Sequence, residues 1–145
     1  MPFQTQWYIP NEVAFTRYWG ELSADDVAQN IKALYQLVDQ SDRFLVHSIT
    51  DVSAVTHQIS FVETLKTVSK SQNHPRAGWI LSYGEKDVLM RFIASASSQV
   101  LHLRVRVFNN LQECLDFLKR VDNALHWADA DPTIVAAENE TYGGN

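Results

Sequence analysis

The stretch from Arg43 to Ser71 reads RFLVHSITDVSAVTHQISFVETLKTVSKS, and it decides the predicted fold. It begins with an apolar run from Phe44 to Ile49, which is typical of an interior strand covered on both faces. A polar patch follows, and after Ser60 apolar residues recur at helical spacing. A buried strand, its exit loop and a helix in that order predict the centre of an open α/β domain, where ligands and partners commonly dock.

The segments on either side add strands and helices around this unit. Residues 3–9 and 13–19 alternate apolar with polar side chains around Pro10-Asn11, which predicts an antiparallel hairpin. Further strands are predicted at 78–83 and 103–108, and helices at 22–42, 60–73, 85–101 and 109–127. The predicted class is α/β: a mixed sheet of about five strands with an N-terminal antiparallel hairpin, right-handed parallel crossovers and four helices.

Length and composition bound the class of protein. At 145 residues the chain fits one domain, placed at 1–127, with a flexible C-terminal tail over 128–145 unless Thr133 to Ala136 docks on a neighbour. A formal net charge of -5 disfavours nucleic-acid binding. The single cysteine, Cys114, excludes an intramolecular disulfide and favours a reducing, cytoplasmic location. Because no basic start precedes an apolar run and no apolar run is long, we expect neither secretion nor a membrane span.

Patterns for catalysis, metals and cofactors are weak in this sequence. No two histidines stand four residues apart on a predicted helix, and the glycines, 5 in all, form no phosphate-binding series. His47, inside the apolar strand, is interpreted as a hydrogen-bonded core residue, and Cys114, in mid-helix, as a packing thiol. We therefore predict no metal, no cofactor and no enzyme activity.

Polar residues follow two neighbouring predicted strands. The loop after the central strand is expected to hold Asp51, Ser53, Thr56, His57 and Ser60, and the loop after the next strand Tyr83 and Lys86. Because the carboxyl ends of parallel strands meet at one edge of a sheet, these residues form the candidate binding site, a loop crevice. The alternative is that Asp51 and Ser53 only satisfy backbone groups of their own turn.

The predicted strands carry an unusual number of aromatic residues. They are Trp7, Tyr8, Tyr18, Trp19, Trp79 and Tyr83. Either these residues form a bulky core, or some of them form an exposed patch that would favour self-association through the hairpin or an edge strand. The pattern alone leaves both interpretations open.

Three short motifs stand at the junctions of these elements. They are Gly20-Glu21-Leu22-Ser23 before the first helix, Ile49-Thr50-Asp51-Val52-Ser53 at the end of the central strand, and Val107-Phe108-Asn109 before the last helix. Together with the element order, they resemble the STAS domains typified by bacterial anti-sigma-factor antagonists, and in particular the SpoIIAA-like branch, over residues 3–127. The resemblance implies that fold and a role in bacterial regulation through protein contact.

The resemblance also implies a candidate modification site. In phosphorylated members of the family, a serine at the start of the helix after the central strand accepts phosphate from a partner kinase. Ser60 matches that position, although Ile59 and Val62 replace the aspartate and glycine of the family's motif. Phosphate at a helix amino terminus is favoured by the free N–H groups and the helix dipole. Ser60 and Glu63 also form a capping box, so a phosphorylation site and a plain N-cap both stay open.

Three functions follow, in order of preference. The first is a non-enzymatic STAS-like regulatory or protein-interaction module that binds a protein partner or, as a homodimer, a second copy of itself. The second is a small-ligand or lipid-binding domain, in which an apolar molecule enters between the sheet and the helices at 60–73 and 87–100. The third is an enzyme that uses Asp51 and His57 as an acid–base pair.

Overall fold

The computed structural model describes residues 2–57, 74–86 and 104–136. The strands found there are β1 Phe3–Ile9, β2 Val13–Glu21, β3 Val46–His57, β4 Ala77–Tyr83 and β5 Val105–Phe108. The helices found there are α1 Ala24–Gln40, α2 Leu111–Val121 and the short α3 Pro132–Ala136, with a 3-10 turn at Trp127–Asp129. None of these helices has the length and apolar character needed to cross a membrane.

All the described strands belong to one sheet, in the order β1-β2-β3-β4-β5. β1 and β2 are antiparallel, and each of the other neighbouring pairs is parallel. The predicted mixed sheet with an N-terminal hairpin is therefore confirmed, with β3 as its central strand. The hairpin turns through Asn11, whose φ of 67° lies in the left-handed region that asparagine tolerates.

Two of the four predicted helices are confirmed. α1 begins after Ser23, whose side chain accepts a hydrogen bond from the main-chain N–H of Asp26 in the predicted capping box. α2 begins after Asn110, whose side chain caps it in the same way, but it ends at Val121, so the predicted extension to residue 127 is wrong. The helices predicted at 60–73 and 85–101 lie outside the described residues, apart from Glu85 and Lys86, which are not helical. α3 is an addition that the sequence analysis did not predict.

β3 begins and ends later than predicted. Phe44, the predicted first residue, precedes the strand and is 87% exposed, whereas Val46 to Ile49 are buried. At the other end β3 continues to His57, so the predicted exit loop from Asp51 onward is wrong. Valine and threonine recur through this segment and favour extended backbone, and β2 pairs with it as far as Glu21.

One face of the sheet holds the main apolar core. Phe15, Ile49 and Leu81 lie there with Cys114 and Leu118 of α2, and none of the five is more than 1% exposed. Burial raises the pKa of the Cys114 thiol to about 12, so the nucleophilic thiolate is scarce at neutral pH. The interpretation of Cys114 as a packing residue is confirmed.

The opposite face packs on α1 through a buried polar network. Side chains alternate along a strand, so Thr16 and Tyr18 point away from the face that holds Phe15. Asn30 of α1 donates from Nδ2 to the Tyr18 hydroxyl at 2.7 Å, and its Oδ1 accepts from Thr16 at 3.4 Å and from Thr5. Buried polar groups are stable only when paired in this way, so the network fixes α1 against β1 and β2.

The aromatic residues of the strands belong to the interior. Tyr8 and Tyr18 are each 6% exposed, and the other four are partly buried. Trp79, for example, packs edge-to-face against Phe117 of α2, with ring centroids 5.0 Å apart. The core interpretation is confirmed for Tyr8, Tyr18, Trp79 and Tyr83, whereas Trp7 and Trp19 are partly buried and lie outside the core cluster.

The chain after α2 folds back onto the sheet. The main-chain N–H of Asp131 donates to the carbonyl of Tyr8 at 2.9 Å, and Ile134 and Val135 pack against the core. Residues 131–136 therefore lie against this chain's own sheet, and the flexibility of the tail over 128–145 stays a prediction. The domain boundary at residue 127 stays a prediction, and residues 137–145 lie outside the described part of the chain.

Candidate functional site

A buried ion pair joins β2 to the central strand. Arg17 and Asp51 are partners in the parallel register, so both side chains emerge on the same face of the sheet. Arg17 Nε lies 3.1 Å from Asp51 Oδ2, and the two side chains are 8% and 6% exposed. Removing either charge from water is costly, so this pair depends on each partner neutralising the other.

The other oxygen of Asp51 is also occupied. Oδ1 accepts hydrogen bonds from the main-chain N–H of Ser53 at 2.8 Å and from its hydroxyl at 2.6 Å. Tyr83, the partner of Asp51 on β4, completes the group, and burial together with the negative charge of Asp51 raises the pKa of its phenol. We call Arg17, Asp51, Ser53 and Tyr83 the Asp51 cluster. Because both carboxylate oxygens are engaged, Asp51 is held as a structural anion.

Gly84 brings the loop after β4 against this cluster. Its φ of 94° lies in the range that favours glycine. A Cβ at this position would lie 2.7 Å from the main-chain nitrogen of Ser53 and 2.8 Å from the Ser53 Cβ. Only glycine lets the loop approach the backbone of β3 so closely.

β3 becomes irregular beyond Asp51. Its pairing with β2 shifts once within residues 51–54 and again within 55–57, and each shift inserts one additional residue into β3. Such bulges bend a strand and redirect its side chains, and they are common beside functional sites. Ser53 and Thr56 fall within these shifts and are exposed. We call Val52–His57, the part of β3 beyond its last pair with β4, the β3 overhang.

The structure brings together part of the predicted loop crevice. Asp51, Ser53 and Tyr83 lie in the Asp51 cluster. Thr56 lies farther along the overhang, and Lys86 follows Gly84 in the neighbouring loop with its side chain exposed. Asp51 is buried and Tyr83 is partly buried, whereas Ser53, Thr56 and Lys86 are exposed, so only these three are open to a partner.

Other candidates are separated from this cluster or lie outside the described residues. The acid–base pair of Asp51 and His57 is wrong, because these residues lie opposite Arg17 and Glu21, and four residues of β2 at about 3.3 Å each put their Cα atoms roughly 13 Å apart. Ser60 is not among the described residues, and neither are the two helices that would enclose an apolar ligand, so those two hypotheses stay predictions. In residues 2–57, 74–86 and 104–136, no group of histidine, cysteine and acidic residues is arranged to hold a metal ion.

The sequence analysis missed Arg17 and α3 as parts of this site. Arg17 donates from Nη1 to the carbonyl of Ile134 at 3.4 Å and from Nη2 to the carbonyl of Val135 at 2.9 Å. An arginine at an apolar position of a strand indicates a buried partner. Asp131 followed by Pro132 is a typical N-cap and first helical residue, and this pair predicts a helix. Both signals were present in the sequence.

Comparison with known proteins gives one finding on the fold. No family model matches the chain, and no curated protein matches it. Among solved structures, the chain is similar to the anti-sigma-factor antagonist SpoIIAA in its unphosphorylated form. The two are 14% identical with a TM-score of 0.47, and the alignment covers 82% of this chain and 98% of that chain. Residue roles are assigned from this chain's own contacts.

A second polar group lies at the start of the central strand. His47 is 2% exposed; its Nδ1 accepts the main-chain N–H of Trp79 at 3.0 Å, and its Nε2 lies 2.8 Å from Asp122 Oδ2. Because Nδ1 accepts, the proton of the neutral ring is on Nε2, and burial lowers the pKa of His47. The interpretation of His47 as a hydrogen-bonded core residue is confirmed.

Glu12, in the hairpin turn, links this group to the C-terminal part of the chain. Its carboxylate is buried and accepts hydrogen bonds from the main-chain N–H of His126 at 2.6 Å and from the Nδ1 of the same residue. Its carbonyl accepts the main-chain N–H of His47 at 3.0 Å. The hydrogen bond to Glu12, and then its negative charge, raise the pKa of His126.

The raised pKa of His126 predicts a pH-dependent contribution to stability. A folded-state pKa above the unfolded value of about 6.5 means that the contribution is complete below pH of about 6.5 and disappears as the pH rises through the folded value. We expect His126→Ala to lose more stability relative to the wild type at a pH of about 5.5 than at about 8.5. Urea unfolding of both proteins at the two pH values measures this difference. Because both proteins contain His47, its own pH dependence cancels in the comparison. An equal loss at both pH values would contradict the ion pair.

Proposed function

We propose that this protein is a non-enzymatic STAS-like regulatory module of the bacterial cytoplasm that acts by binding another protein. One observation carries the proposal: the β3 overhang is bulged twice and presents Ser53 and Thr56 to solvent, beside a rigid buried cluster. A binding surface needs exposed side chains on a fixed support, and the overhang with the Asp51 cluster beneath it supplies both.

The exposed groups define what the surface would bind. Ser53 and Thr56 carry hydroxyls, and Lys86, two residues after Gly84 in the adjoining loop, carries an ammonium group. We call Ser53, Thr56 and Lys86 the contact surface. The Thr56 hydroxyl and the Lys86 ammonium can donate to the carbonyl and carboxylate oxygens of a protein partner, whereas the Ser53 hydroxyl, which donates to Asp51, can only accept. A second copy of the chain is the alternative partner, which the experiment below distinguishes.

Three described groups that could support catalysis, Asp51, His47 and Cys114, are occupied or buried. Asp51 has both oxygens in hydrogen bonds, and both ring nitrogens of His47 are engaged. Cys114 is fully buried. A general acid or base must reach the substrate proton, so these contacts favour a binding role over a catalytic one.

The proposal is tested with a substitution at the centre of the contact surface. Thr56→Arg places a long cation on an exposed position, and the matched control Gln36→Arg makes the same kind of change on the exposed side of α1. The partner is identified by cross-linking the tagged full-length chain in its source cells, and then purified. We expect Thr56→Arg to raise the dissociation constant at least about tenfold and the control less than about twofold.

Isothermal titration with the purified partner gives both dissociation constants, and light scattering reports whether that partner is a second copy of the chain. If Thr56→Arg binds as tightly as the wild type, the contact surface is elsewhere. A strictly monomeric chain that cross-links to no protein would remove the proposed function altogether.

A further inference from the structure

β1 forms one edge of the sheet, and alternate residues of it turn their main-chain groups away from β2. The main-chain N–H of Trp19 donates to the carbonyl of the opposite residue, Pro2, at 3.0 Å. Hydrogen-bonded and non-bonded pairs alternate along an antiparallel ladder, so the non-bonded residues of β1 are Phe3, Thr5 and Trp7. Within residues 2–57, 74–86 and 104–136, none of their outward N–H and C=O groups has a hydrogen-bond partner.

β1 also lacks the features that usually protect an edge strand from pairing. Such edges are commonly short, charged or interrupted by proline. The opposite edge of the sheet, β5, fits that pattern, because it has 4 residues and one of them is Arg106. β1 has 7 residues, and none of them is charged or a proline. Its chemistry therefore permits pairing with a further strand.

The order of the side chains along β1 indicates which strand that is. Residues 3–7 read Phe-Gln-Thr-Gln-Trp, so the chemical character of the side chains is symmetric about Thr5. When two copies of this segment run antiparallel about a two-fold axis at Thr5, Phe3 lies opposite the partner's Trp7 and Gln4 lies opposite the partner's Gln6. Aromatic rings then meet on one face and amides on the other. A two-fold interface requires this self-complementarity, so a second copy of the chain fits the edge.

We propose that two copies of this chain pair through β1, antiparallel and centred on Thr5, so that their two sheets become one continuous sheet. Thr5 exchanges main-chain hydrogen bonds with the partner's Thr5, and Phe3 exchanges them with the partner's Trp7. The ladder ends at Tyr8, which lies opposite the partner's Pro2, a residue without an N–H. The Tyr8 carbonyl already accepts the main-chain N–H of Asp131 at 2.9 Å.

The side chains at this edge are incompletely covered in the single chain. Phe3 and Trp7 are partly buried and lie outside the core cluster, and Gln4 is exposed. The Phe3 ring already packs edge-to-face on Tyr18, with ring centroids 6.0 Å apart, so pairing does not have to order it first. Covering the two aromatic side chains removes apolar surface from water, which favours the dimer.

This pairing is separate from the proposed function. The contact surface belongs to the β3 overhang and to the loop after β4, and none of its residues is in β1. Thr56→Arg should therefore leave the β1 dimer intact, so failure of one proposal does not imply failure of the other.

Charge substitutions at the two glutamines test the pairing. Gln4→Lys/Gln6→Lys puts lysine opposite lysine across the two-fold axis, and Gln4→Glu/Gln6→Glu does the same with glutamate; like charges directly opposite are destabilising. By sedimentation equilibrium we expect a dimeric wild type and, for each double variant, a dissociation constant raised at least about tenfold. In an equimolar mixture every lysine faces a glutamate, so native mass spectrometry should show the mixed dimer in excess of both homodimers.

The matched control adds the same charges far from β1. Gln112→Lys/Asn123→Lys changes two exposed residues on and just after α2, which packs against β4 and β5. This variant should dimerise as the wild type does. A wild type that stays monomeric from about 1 μM to about 1 mM overturns the proposal, and so does a folded Gln4→Lys/Gln6→Lys variant that dimerises as tightly as the wild type.

Disulfide formation tests the register independently of the charge variants. Gln4 and the partner's Gln6 form a non-bonded pair, with Cα atoms about 4.5 Å apart, which a disulfide can bridge. A mixture of the Gln4→Cys and Gln6→Cys chains should therefore cross-link under mild oxidation at least about tenfold faster than either chain alone, whose new thiols are out of register. Cys114 is fully buried in both chains. If a charge variant does not fold, this comparison decides, and a mixture that cross-links no faster than the separate chains overturns the proposal.

Discussion

Asp51→Ala is expected to lower the free energy of unfolding by about 3–5 kcal/mol, because it leaves the Arg17 guanidinium buried without its counter-charge. The two side chains are 8% and 6% exposed, so water cannot replace the lost partner without opening the structure. The substitution also frees the N–H and hydroxyl of Ser53 from their acceptor. The lost ion pair and the lost hydrogen bonds both belong to the Asp51 cluster, which supports the contact surface.

Urea unfolding at neutral pH measures this effect, with Asp42→Ala as the matched control. Asp42 is an exposed aspartate in the loop before β3, and its removal should change stability by no more than about 0.5 kcal/mol. The double variant Arg17→Met/Asp51→Leu replaces both charges by apolar groups and should be more stable than Asp51→Ala alone. A loss below about 1 kcal/mol for Asp51→Ala would show that Arg17 is not buried as described.

Gly84→Ala is expected to lower the free energy of unfolding by about 2–5 kcal/mol, which is the second of the two largest expected effects. A side chain at φ 94° is strained by about 1–2 kcal/mol, and crowding against a packed backbone adds about 1–3 kcal/mol. The new Cβ would stand 2.7 Å from the Ser53 nitrogen, and a strand backbone cannot move aside as the end of a flexible side chain can. The loop after β4 must therefore move away from the β3 overhang.

Gly20→Ala separates strain from crowding. Gly20 also has a positive φ, 70°, but an added Cβ there meets nothing within 4 Å, so only the strain of about 1–2 kcal/mol is expected. The difference between the two alanine variants in urea unfolding measures the contact between Gly84 and Ser53. Equal losses for the two variants would mean that the loop does not press on β3.

Local signals explain why much of the sheet was predictable. Pro10-Asn11 between two alternating segments predicted the hairpin, and Ser23 with Asp26 predicted the start of α1, because each feature depends on residues close in sequence. The meeting of Asp51 and Tyr83 was also predictable, since parallel strands bring their carboxyl ends to one edge.

The β3 overhang and α3 depended on distant partners. Serine and threonine after Asp51 were interpreted as a loop, but pairing with the far end of β2 holds them in a strand. The partnership of Arg17 with Asp51 requires the register between β2 and β3, which composition does not supply. Pro132–Ala136 is too short to form a helix in isolation and is helical where the sheet supports it.

The hydrogen bonds of Arg17 also determine when, during synthesis of the chain, its guanidinium is removed from water. Arg17 is synthesised early, as part of the first hairpin. Its acceptors on Ile134 and Val135 lie 117 and 118 residues downstream. A nascent chain emerging from the ribosome can align its strands in turn, each beside the last, while the guanidinium is still hydrated. Final dehydration of that cation waits until residues 134 and 135 have been synthesised, so a chain terminated before them leaves the Arg17 guanidinium hydrated.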